Sequence, residues 1–367
     1  MKKLSKSLLM LLLSLILLLA ACDLDFLNND DDIAANEYAD KLPEEDDRMS
    51  LTKPVNPAAP SDVDGESIED MHDSTPQQGL SLIISSVTSA EMRAFESQHA
   101  VSAEQERYLA FGAFVMTNNL ESIRVFALDG SADSAVRILR DSWNVEDKES
   151  ALVQLKRLSS ANGQAPVAND IYNTVILNGY LKPLETTDVI ILLAHGGFEH
   201  LYENTTTRAE NMTDEFDVWV ELLEEDLGKV DRDEAFMLFI SILMTERINR
   251  GLEAYTNAKR LLISQFGYTE EELLNLPSLN AWDYGRVAII ARYGTESGYL
   301  KEDEAWQYLK LAADSASQNY SSWREYTAAH ILGRALAFGN TSADFRNTLE
   351  FLLKHPESSF QTIDFKG

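Results

Sequence analysis

The sequence predicts an all-α protein, a multi-helix globular domain that follows a disordered acidic tether. Three observations carry this prediction. From about residue 88 the apolar side chains recur at three- and four-residue intervals, and sustained alternation is scarce. Hydrophobic residues make up 45% of the 367, enough for a sizeable packed core. Between residues 22 and 79, by contrast, acids dominate and prolines punctuate the chain.

The first element, residues 1–21, reads as an address. Lys2, Lys3 and Lys6 form a basic start, and the apolar run Leu8–Ala21 follows. That run is shorter than the roughly 20 residues a membrane-spanning helix needs, and the pattern is that of a signal peptide. It ends in Leu19-Ala20-Ala21-Cys22, which resembles the lipobox of bacterial lipoproteins. The resemblance implies cleavage before Cys22 and its lipidation, so that the membrane is a partner through acyl chains at Cys22. Two or more chains give stable anchoring where one gives marginal binding. Asp23 resembles the inner-membrane retention signal of enteric lipoproteins. Cys22 is the only cysteine, so the mature chain has no disulfide, cysteine metal ligand or free thiol nucleophile.

Residues 22–79 form the second element. Between Asp23 and Asp73 there are 17 acids against Lys41, Arg48 and Lys53, with prolines at 43, 54, 57 and 60. Such a composition buries too little apolar surface to offset the entropy of ordering, so a disordered spacer is expected. A flexible chain of this length reaches about 40 Å. Residues 62–70, "DVDGESIED", invite comparison with a calcium loop. With Gly65 as the turn glycine, however, Pro60 takes the first ligand slot and Met71 the last, so the loop fails at both ends. The whole chain carries a formal charge of −29, which argues against binding nucleic-acid phosphates and against adsorption to anionic lipid.

The third element, residues 80–367, is the helical domain. Residues 80–88, "LSLIISSVT", are the one stretch that reads as a strand. Helices are predicted over 103–118, 147–159, 167–178, 214–227, 232–249, 252–266, 280–293, 303–317, 322–338 and 343–354. Asp231 with Glu234 forms a capping pair, and Gly163 and Gly339 suit C-terminal caps. Residues 235–244, "AFMLFISILM", are apolar nearly all round and read as a central buried helix. There is no fixed-period repeat.

The C-terminal third carries "AWDYGR" (281–286), "SGYLKEDEAW" (297–306), "YSSWREY" (320–326) and "LGRAL" (332–336). In that order and spacing these resemble the bacterial family known as domain of unknown function 1266. The upstream stretch "LRDSWNVEDKESALVQLKRL" (139–158) resembles the family's N-terminal landmark, with Asn144 where a glycine is expected. Gly163 is followed by Gln164 where the family has histidine. The resemblance spans about residues 100–340 and implies an all-helical domain; it supplies no activity.

Helical projection places Trp282, Gly285, Arg286, Ile289 and Tyr293 on one face, so Arg286 lies inside an apolar stripe. A buried guanidinium has to be paired, and Asp283, three residues earlier, is the nearest local partner. On 322–338, Trp323, Thr327, His330, Ile331 and Arg334 share a face, embedding a second arginine. Glu304 is a candidate counter-ion, or simply a favourable charge in a helix first turn. Two readings follow. Asp283, Arg286, Glu304 and Arg334, walled by Trp282 and Trp323, make a cluster presenting forked donors to an anionic ligand. Alternatively, they form a salt-bridge network locking three helices. The second is the more economical, because no nucleophile–base pair accompanies the arginines.

Ser322-Trp323-Arg324-Glu325 reads as a capping box, which explains Ser322 without catalysis. His330 reads as a core histidine. "HGGFEH" (195–200) lacks the spacing that puts two metal ligands one helical turn apart. No phosphate-cradling or nucleophile-elbow motif occurs. No catalytic residue, metal ligand or cofactor is therefore assigned. The sequence points to a lipid-anchored cell-envelope interaction module with a protein partner. The alternative is an enzyme or small-molecule sensor that uses the Asp283/Arg286/Arg334 cluster.

Overall fold

Short polar side chains start several of the helices. Ser89, Ser102, Ser131 and Asp147 each accept a hydrogen bond from the backbone amide three residues on. They open helices α2 (Ala90–Gln98), α3 (Ala103–Ala110), α5 (Ala132–Trp143) and α6 (Lys148–Ser159). Helix α1 (Pro76–Val87) precedes these, and α4 (Ala113–Asn118) lies between α3 and α5. A computed structural model describes residues 76–180, 182–339 and 344–367, and among these there is no strand. The stretch read as a signal peptide, Cys22, nearly all of the acidic spacer and the 62–70 stretch lie outside the described residues. No described helix is long and apolar enough to cross a membrane.

The described chain divides into two compact units. The first comprises Gln164–Arg260 with residues 332–339. It contains α7 (Ala165–Ile171), a π-helix (Tyr172–Ile176), α8 (Thr186–Ala194), α9 (Glu199–Asn211) and α10 (Thr213–Leu227). Most of α11 (Arg232–Phe266) also belongs here. Its core includes Phe216, Trp219 and Phe239, whose rings lie 5.4–6.2 Å apart. The buried helix expected over 235–244 is the start of α11, with Met237 its one exposed member.

The second unit holds the described residues up to 163, Leu261–Ile331 and residues 344–367. Its later helices are α12 (Glu270–Leu274), α13 (Ala281–Glu296), α14 (Glu302–Asn319), α16 (Asp344–Lys354) and α17 (Ser359–Thr362). Helix α15 (Trp323–Phe338) contributes residues to both units. At the centre runs α13, against which α4, α5, α6 and α14 all pack. Every residue from Ala281 to Gly294 is buried.

Several departures from the sequence reading have identifiable causes. The stretch 80–88 is helical because Ile83 and Val87, four residues apart, bury one face of α1, which packs against α16. The single helix expected over 103–118 breaks at Phe111–Gly112. There the Phe111 carbonyl accepts from Tyr326 Oη at 2.8 Å, and a Cβ on Gly112 would stand 2.2 Å from the Ala288 Cβ. The helix over 167–178 turns into a π-helix, with the Leu177 amide bonding the Tyr172 carbonyl five residues back. The pair 232–249 and 252–266 is one continuous helix. Gly251 does not end it; it allows the Leu336 backbone to approach, since a Cβ there would lie 3.0 Å from the Leu336 oxygen. Gly339 does take the left-handed conformation expected of a cap (φ +72°). Gly163 does not cap α6, whose C-cap is Ser160.

Candidate functional site

The most concentrated polar chemistry of the second unit lies along α13. Its first turn is tied down by two tyrosines and a histidine. The Ala281 amide donates to Tyr320 Oη (2.9 Å), Tyr326 Oη donates to the Phe111 carbonyl, and His330 Nδ1 lies 3.1 Å from the Ala281 carbonyl. Burial pushes the phenols of Tyr320 and Tyr326 well above the ordinary tyrosine range, so both stay neutral donors. Gly285 has no side chain because His330 fills that space: a Cβ would meet His330 Cε1 at 2.5 Å.

One turn in, Asp283 is fully buried and accepts from two directions. Its Oδ2 takes the Gly163 amide at 2.7 Å, and its Oδ1 takes Arg286 Nη2. Gly163 is needed for that approach, because a Cβ would stand 2.7 Å from Oδ1. The Arg286 guanidinium carbon lies 4.4 Å from the Trp282 ring centre and 5.6 Å from that of Trp143. Both are within reach of cation–π attraction. Burial presses the guanidinium pKa down, with Asp283 pulling it back up. An arginine remains protonated regardless, so the guanidinium keeps its charge in the core. The predicted Asp283–Arg286 pairing is therefore present, inside the packed core and 7% exposed at the arginine.

The rest of the predicted cluster is distributed elsewhere. Glu304 pairs with Lys148 Nζ (2.6 Å) and accepts the Lys301 amide at the start of its own helix. Its carboxyl pKa sits below the ordinary value, chiefly through the Lys148 hydrogen bond. It is thus a first-turn acid with an inter-helix lysine partner, in place of a counter-ion for arginine. Trp323 stacks on Phe360 (4.4 Å between centres) and donates its Nε1 to the Ile363 carbonyl at 2.8 Å. It walls the C-terminal segment in place of an arginine pocket. Arg334 is buried, and belongs to the first unit. Ser322 accepts from the Glu325 amide as expected, while the Glu325 carboxylate reaches back to Ser321. The two histidines of 195–200 go to different partners: His195 Nδ1 to the Ile191 carbonyl, His200 to Asp170. Asp170 also accepts the amides of His200 and Leu201, capping α9.

The residue that the sequence reading missed is Arg292, on the same helix. It is 1% exposed, and its Nε, Nη1 and Nη2 donate to the carbonyls of Phe126, Ser122 and Ala127 at 2.7–2.9 Å. It nails the segment between α4 and α5 to the core. Six residues from Arg286 on a helix, it projects to another side, and its three carbonyl acceptors lie some 165–170 positions away in sequence. The available signal was the absence of any polar face on 281–294. Trp143 was visible as a landmark but not as a wall of the arginine site.

Fold and site together define an all-helical protein organised, in its second unit, around a buried helix with an internal aspartate–arginine pair. The chain belongs to the family described as protein of unknown function DUF1266, whose model matches residues 138–365. It is also similar to the uncharacterized protein YbeR of Escherichia coli (strain K12), 30% identical over 81 residues. That match covers 22% of this chain and 34% of YbeR, so the chain spans about a third of the relative's length. No solved structure matches.

Proposed function

We propose that the protein is a lipid-anchored interaction module of the cell envelope, its helical body carried on the acidic spacer. The observation that carries the reading is the apolar run Leu8–Ala21 closing on Leu19-Ala20-Ala21-Cys22. The geometry of α13 speaks against a ligand site there, because its charged side chains bond to one another and to backbone within the core. An anionic ligand at Arg286 would have to displace Asp283 and enter between two indoles. The body's recognition surface is therefore sought on its exterior.

The test is Cys22→Ser in the full chain. Lipid labelling should disappear, and the protein should be released from the membrane fraction or left with its signal run uncleaved. Unchanged fractionation and labelling would sink the anchor. Thermal shift of the wild-type protein against anionic metabolites tests the sensor alternative: a saturable shift abolished by Arg286→Gln would favour it over the interaction module.

A further inference from the structure

The first unit carries an apolar surface that its own core does not use. Helix α8 reads Thr-Thr-Asp-Val-Ile-Ile-Leu-Leu-Ala, yet Val189 is its only buried residue. Ile191 is 54% exposed, and Ile190, Leu192 and Leu193 are half-buried. Leu177 and Tyr180, just beyond the π-helix, are 50% and 43% exposed. The two stretches approach one another where Gly197 meets Thr174, a Cβ on the glycine lying 2.8 Å from Thr174 Cγ2. Charge sharpens the contrast. Residues 171–181 hold no charged side chain, and 189–198 hold none apart from the titratable His195, in a chain whose residues are 25% charged. Tyr180, and the exposed Lys182 two residues on, are side chains suited to the boundary between hydrocarbon and water.

We propose that this surface, the C-terminal half of α8 with Leu177 and Tyr180, is a shallow membrane-contact site for neutral or zwitterionic lipid. Half-exposed Ile and Leu side chains gain from leaving water at the acyl boundary, and the uncharged stretch avoids carrying carboxylates there. A second copy of the chain is the weaker occupant. A stable dimer takes about 20–30 residues a side, and this patch is one short helix and a turn. A weak contact suffices if the proposed Cys22 anchor holds the body near the bilayer, since tethering raises the effective concentration. The inference rests on that anchor for proximity only, and the contact itself is testable without it.

The experiment uses the full chain with Cys22→Ser, which removes both the anchor and the only native thiol. Ile191→Cys, or Val153→Cys on the second unit as control, is then labelled with an environment-sensitive fluorophore; Val153 is 59% exposed. Titration with phosphatidylcholine vesicles should give a saturable blue shift at 191 and none at 153. Adding Leu193→Asp should weaken the apparent lipid affinity about tenfold or more, the loss expected from one buried leucine. Replacing a third of the lipid by phosphatidylglycerol should weaken binding at low salt, given the net charge of −29. No shift at 191 with millimolar lipid overturns the proposal. So does an equal shift at 153, or a shift that grows with protein concentration in the absence of vesicles, which would mark self-association. Because Cys22 is absent throughout, failure here leaves the anchor reading standing. Loss of the anchor reading would likewise leave a positive result intact.

Discussion

Two helices of this protein invert the usual rule of thumb. Helix α13 contains Asp283, Arg286 and Arg292 and is buried along fourteen consecutive residues. Helix α8 contains Val-Ile-Ile-Leu-Leu-Ala and buries one side chain completely. Composition alone would have placed them the other way round. The difference lies in partners. The charges of α13 meet an aspartate, a glycine amide, two indoles and three carbonyls, so each is compensated where it stands. The apolar residues of α8 have no comparable enclosure, and an apolar residue at a surface costs little by itself. Burial is decided by how completely a side chain's needs are met.

That contrast is open to attack, and the strongest blow should come at α13. Asp283→Ala leaves the Gly163 amide and a buried guanidinium without their carboxylate. A loss of about 3–5 kcal/mol is expected in urea unfolding. A loss under about 1 kcal/mol would mean that Arg286 is compensated elsewhere. Arg292→Met keeps the aliphatic volume but strips the donors from three carbonyls, for an expected cost of about 3 kcal/mol. Its hydrogen-exchange signature should be local, with faster exchange over residues 119–131. Gly163→Ala forces a methyl against the Asp283 carboxylate and should cost about 1–3 kcal/mol, measured as a fall in Tm.

A smaller effect is expected from pH. Burial raises the Glu96 carboxyl above its ordinary value of 4.5, with Glu106 adding to the shift and Ser122, Arg124 and Arg93 opposing it. The folded state thus holds this proton more tightly than the unfolded state. The Glu96 contribution is largest below pH 4.5 and fades as pH rises through the raised value. Glu96→Gln keeps an acceptor for Ser122 Oγ and should flatten that part of the stability curve. An unchanged slope between pH 4 and 7 would contradict the assignment. The smallest effect should come from α8. Ile191→Asp is expected to stay within about 0.5 kcal/mol of wild type, because little packing is lost at a half-exposed site. A drop of several kcal/mol would show that α8 belongs to the core and would erase the contrast.

Much of this was legible in the sequence, for reasons that differ by residue. The Asp283–Arg286 pair was readable because both members lie within one turn and the helical period places the arginine in an apolar stripe. The capping role of Ser322 was readable because a capping box is local. Arg292 was not, since its acceptors come from residues 122–127, some 165–170 positions away. Of the two readings of Glu304 the first-turn charge holds, while its partner Lys148, 156 residues distant, was out of reach for the same reason. Asn144 shows a middle case. Standing where a glycine was expected, it takes the left-handed conformation (φ +49°) that asparagine tolerates best after glycine. Helix α2 went unpredicted because it is short and buries none of its residues, so it has no apolar period to find.

The hydrogen bond between Gly163 and Asp283 joins positions 120 apart in the chain. During synthesis at about 5–20 residues per second, the first waits roughly 6–24 s for the second to be made. Throughout that wait α5 and α6 lack the helix they pack against, and their apolar faces stay open to misassembly. The second unit can therefore close its core only once α13 has left the ribosome.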